Sequence, residues 1–64
     1  MWIARDKNTL LHLFTTKPKL DECIFVGKDE FGNDTCIYEL SRYLFPEVTF
    51  ENSPKELVIK EKAL

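Results

Sequence analysis

The sequence predicts an all-β domain of about four to five antiparallel strands, a small meander or a partly open barrel, with one helical turn near 41–45. Two observations predict it. Two pairs of apolar, β-branched and aromatic runs each enclose turn-forming residues, and a later stretch alternates apolar and polar residues with a period of two.

The first pair is Met1-Trp2-Ile3-Ala4-Arg5 and Leu10-Leu11-His12-Leu13-Phe14-Thr15. They are joined through Asp6-Lys7-Asn8-Thr9, where Asn8 tolerates a turn conformation that most residues resist. Met1, Ile3, Leu11 and Leu13 fall on one face, and Trp2, Ala4, His12 and Phe14 on the other. Thr16 to Glu22 holds Pro18 in a polar setting without periodicity and reads as a loop.

The second pair, Cys23-Ile24-Phe25-Val26 and Cys36-Ile37-Tyr38-Glu39-Leu40, encloses a loop of acids, Gly and Asn. A type I turn at Asp29-Glu30-Phe31-Gly32 puts Gly32 in the left-handed region, which glycine enters without steric cost. Val26 then faces Cys36 and Ile24 faces Tyr38. Ile24, Val26, Cys36, Tyr38 and Leu40 share the better core face, while Cys23, Phe25, Ile37 and Glu39 share the other.

Ser41-Arg42-Tyr43-Leu44-Phe45, bounded by Pro46, has room for one helical turn capped by Ser41. Val48-Thr49-Phe50-Glu51 carries the alternation of a half-buried strand. For the end of the chain two readings stay open. Ser53-Pro54-Lys55-Glu56 fits a capping box, and Glu56-Leu57-Val58-Ile59-Lys60 has the β-branched content of a strand, which is favoured over 56–60. A helical turn before the last strand resembles the order in an SH3-like barrel.

With 64 residues the chain makes one domain, 1–64, near the size that buries only about 60% of its unfolded surface, so a large catalytic cleft is not expected. Its net charge of −2 gives no general positive field for nucleic acid or an anionic membrane. No apolar run approaches the roughly 20 residues that span a bilayer, and the start shows no signal-peptide pattern, so the expected setting is cytoplasmic. Cys23 and Cys36 lie on opposite faces of the expected hairpin and read as free thiols.

Little in the chain points to catalysis. His12, the single histidine, has no nucleophile near it in sequence, no Cys-x-x-Cys pair exists for zinc, and the 29–34 acids lack the spacing of a calcium loop. No glycine-rich phosphate loop is present. Neither a catalytic residue, a metal nor a cofactor is therefore expected. Phe31 stands out as an aromatic at a hairpin tip, and folding back over the sheet is favoured over being offered to a partner.

The chain has a surplus of apolar faces. Trp2 with Phe14, and Phe25 with Ile37, lie opposite the faces assigned to the core, whereas a single small sheet should be polar on one side. The sheet closes into a barrel, the turn at Tyr43-Leu44-Phe45 covers the second face, or another chain buries it.

Met1-Trp2-Ile3-Ala4-Arg5-Asp6, Lys17-Pro18, and Leu44-Phe45-Pro46-Glu47-Val48-Thr49-Phe50-Glu51-Asn52-Ser53-Pro54 resemble a group of short uncharacterised proteins of bacterial and phage-like genomes. The chain departs from that pattern at Thr9, where the group has Gly, and at Phe50, where Trp is common. The resemblance implies an accessory protein, with no activity to carry over.

The expected function is that of a non-enzymatic interaction module. It would bury a patch of Trp2, Phe14, Phe25 and Ile37 against a second copy or another protein, with no membrane partner. The alternative is a nucleic-acid-binding small barrel using Lys17, Lys19 and Arg42 on the backbone, against which the acidic balance counts.

Overall fold

The computed structural model describes residues 1–58 as six strands, all antiparallel: β1 (Trp2–Arg5), β2 (Leu11–Phe14), β3 (Lys19–Asp21), β4 (Ile24–Val26), β5 (Cys36–Leu40) and β6 (Lys55–Glu56). A sheet in the order β5-β2-β1-β6 is accompanied by a two-stranded sheet, β3-β4. The architecture is all-β and open, not closed into a barrel, and no helix occurs among the described residues.

The first hairpin has the expected register, with Trp2 opposite Phe14, Ile3 opposite Leu13 and Arg5 opposite Leu11. Its turn differs in one residue. Thr9, not Asn8, takes the left-handed conformation (φ 76°), while Asn8 accepts a hydrogen bond from the Leu10 amide. Thr9 is thus strained, since a β-branched residue enters this region at a steric cost that glycine does not have.

The second hairpin differs from the expected one, because its two strands do not pair with each other beyond the turn. Its turn forms, with Gly32 at φ 81° and a bridge between Lys28 and Asp34, and the Thr35 amide still reaches the Gly27 carbonyl. Beyond that point the strands part around the buried Phe14 ring, which packs so closely on Gly27 that an added Cβ would lie 2.7 Å from Phe14 Cδ2. β5 turns to pair with β2, with a bulge at Ile37, and β4 pairs with β3. The supposed loop at Thr16–Glu22 therefore contains a strand, which shows no alternation because all three of its residues are exposed.

Both faces of the large sheet are covered. On one, Ile3 and Leu11 meet Val48, flanked by Leu13, Leu40 and Leu57; on the other, Ala4, Phe14 and Phe25 meet Trp2, Cys36 and Phe50. Phe25 and Phe50 pack edge to face at 5.9 Å, a geometry that aromatic quadrupoles favour. β4 lies over this second face, so Phe25 is buried and Ile24 exposed, the reverse of the expected assignment.

Residues 48–53 wrap the edge of β1, placing Val48 on one face and Phe50 on the other, with the Arg5 amide donating to Ser53 Oγ. The expected strand at Val48–Glu51 is a turn instead, because Thr49 and Asn52 exchange side-chain hydrogen bonds that compete with sheet pairing. The expected helical turn at 41–45 is a single hydrogen-bonded turn, Leu44 amide to Ser41 carbonyl. β6 pairs with β1 at Lys55 and Glu56 only, so of the strand expected over 56–60 Glu56 belongs to β6, Leu57 and Val58 do not, and 59–60 lie outside the described residues.

Candidate functional site

Strand alternation puts Arg5 on the same face as Ile3, at the end of β1, and its side chain is 9% exposed. A buried guanidinium needs partners for its five N–H groups. Here every partner is a main-chain carbonyl: Nε donates to Val48 at 2.6 Å, Nη1 to Thr9 and Arg42 at 2.9 and 3.0 Å, and Nη2 to Leu44 and Phe45 at 2.8 and 3.1 Å. Charge-assisted bonds of this kind are about twice as strong as neutral ones. Arg5 therefore fixes the backbone of the 42–48 loop.

Beside it, Asp6 binds the opposite layer. Its Oδ1 accepts the Phe25 amide at 2.8 Å, which fastens β4 over the second core. Adjacent residues thus hold opposite sides of the sheet.

The clamped loop turns its side chains outward. Tyr43 is 86% exposed, Leu44 47% and Phe45 40%. Phe45 has φ 49°, a conformation that bulky residues avoid at a cost of about 1–3 kcal/mol. The Arg5 bond to its carbonyl and the Val48 amide bond to the same oxygen hold it there. Next to the loop lies an open cleft of about 480 Å³, with Lys7, Arg42, Tyr43, Pro46, Phe50 and Glu51 in its walls.

The residues expected to form an apolar patch do not form one. Phe14 and Phe25 are 2% and 7% exposed, and Trp2 is half-buried against them, because the β3-β4 layer covers that face. Ile37 is set apart on the outer strand β5, exposed by the bulge. Of the expected cationic group, Lys17 and Lys19 line one hollow with Lys28, Asp21 and Asp29, and Lys17 also sits 5.4 Å from the Trp2 ring centre. Arg42 lines the other cleft.

Cys23 and Cys36 are free thiols. Burial pushes the Cys36 thiol above its ordinary range and the Asp34 carboxylate pushes the same way, which disfavours the thiolate a nucleophile requires. His12 lies between Asp6 and Glu39, with Nδ1 and Nε2 each 3.7 Å from a carboxylate oxygen. Its two nitrogens thus face opposite carboxylates, and no group of ligands suited to a metal occurs among the described residues. No helix of the described residues is long and apolar enough to cross a membrane.

Sequence patterning missed the Tyr43–Phe45 display. The available signal was three large apolar residues between Ser41 and Pro46, in a stretch too short for a covered helix. Comparison of the chain with protein-family models, curated proteins and solved structures finds no match to any of the three.

Proposed function

We propose that the chain is a non-enzymatic protein-binding module whose contact surface is the Arg5-clamped loop at Tyr43-Leu44-Phe45 and the cleft beside it. The observation that carries this reading is the strained, exposed Phe45, held in place by a buried arginine. Strain of this kind gathers at binding sites, and a loop ordered beforehand loses less entropy on association. Exposed aromatics with an arginine beside them have the composition of interface anchors. The free thiols support a reducing, cytoplasmic setting.

The sheet edges support the loop over the strands as the contact surface. β3 carries Lys19 and Asp21, β6 has two charged residues, Asp6 caps the β4 amide at Phe25, and β5 is kinked by its bulge; each device blunts edge pairing.

The test is recovery of bound protein by the tagged chain, comparing wild type with Tyr43→Ser/Leu44→Ser and with Tyr38→Ser on β5. A complex lost only in the loop variant is expected. A complex that survives it, or is lost only with Tyr38→Ser, would move the surface elsewhere.

A further inference from the structure

We propose that the cleft beside Tyr43 receives the Phe31 tip of a second copy of this chain, an inference that rests on the loop being the binding surface. Phe31 is 80% exposed at the end of the Asp29–Gly32 turn, where a polar residue would cost less; it does not fold back over the sheet. The tip is ordered beforehand. Asp29 Oδ1 accepts the amides of Phe31 and Asn33, both at 2.9 Å, and the Gly32 amide reaches the Asp29 carbonyl. It presents an aromatic ring with the exposed carboxylates of Glu30 and Asp34 beside it, while Lys28, Lys17 and Lys19 stand at its base, in the hollow that Asp29 also lines.

The cleft has the opposite character. Lys7 and Arg42 flank Tyr43, Pro46 and Phe50, and Glu51 is the one free carboxylate among them, since Asp6 is buried on the Phe25 amide. Among the described residues no ion pair uses Lys7, Arg42, Glu30 or Asp34. Phe31 and Tyr43 are both bare within one molecule, so the tip does not occupy its own cleft. A ring with acids beside it and a cleft walled by Tyr43, Pro46 and Phe50 with bases beside it complement each other in charge and in apolar contact.

Tip and cleft are different surfaces, so the contact is head-to-tail and grows with concentration. A contact this small is weak, and light scattering is therefore followed up to about 1 mM chain. The wild-type mass is expected to rise above 7.5 kDa. Phe31→Ser and Arg42→Glu should each weaken association about tenfold or more. Neither disturbs the clamp, which uses the Arg42 carbonyl and not its side chain.

Mixing the two variants is decisive, because one retains a sound cleft and the other a sound tip. The mixture should form a dimer that grows no further. A wild type that stays monomeric, or association that survives Phe31→Ser, overturns self-docking. If the monomeric wild type still binds another protein through Tyr43 and Leu44, the loop reading stands and only this inference falls.

Discussion

Arg5 and Val48, 43 positions apart, are joined by a 2.6 Å hydrogen bond from the guanidinium Nε to the Val48 carbonyl. The same valine closes the core over Ile3 and Leu11, so one residue couples the loop to the packed interior. Lysine cannot copy this arrangement, because a single ammonium lacks the planar fork of five donors. Arg5→Lys is expected to cost about 2–4 kcal/mol through carbonyls left unpaired. Urea unfolding measures it, and a loss below about 0.5 kcal/mol would deny Arg5 its clamping role.

Thr9 carries strain that glycine would not. Thr9→Gly is expected to raise stability by about 0.5–1 kcal/mol, the relief of a left-handed β-branched residue less the added entropy of the unfolded chain. The same denaturation measurement shows whether its sign is positive.

Gly27 marks the point where β4 and β5 separate. A methyl there would run into the Thr35 hydroxyl, itself paired with the Thr16 hydroxyl, and into the Phe14 ring. Gly27→Ala is expected to cost about 1–3 kcal/mol, as overpacking does. Thermal unfolding reads this as a fall in Tm.

Asp29 governs the tip. The Asn33 amide, first among its partners, holds its carboxyl below the ordinary value near 3.8. In the unfolded chain the group protonates near that value, while the folded tip keeps its charge to lower pH. The order of the tip is thus fully present above 3.8 and lost as pH falls through the lower, folded value. The protection of the Phe31 and Asn33 amides, taken by NMR as exchange relative to the intrinsic rate at each pH, should fall in that acid window and remain constant between pH 5 and 7.

Residue alternation made the β1-β2 register legible, because both strands have two apolar faces and a short polar turn between them. The partners of β4 and β5 were not legible. The local signal favoured pairing them with each other, and the ring that parts them, Phe14, belongs to another hairpin. β3 left no trace because an exposed strand has no buried side to pattern. Arg5 resembles any charged residue closing a strand. Its role depends on four carbonyls 37 to 43 positions away besides that of Thr9, and carbonyls are the same for every residue type.

The most direct test of the clamp is the ¹⁵N order parameter of the Tyr43, Leu44 and Phe45 amides in the wild-type chain. Values near 0.85, matching β1 and β2, are expected for a loop whose carbonyls are held by a buried guanidinium. Values below about 0.6 would mean that the loop moves freely and that Arg5 does not shape a binding surface.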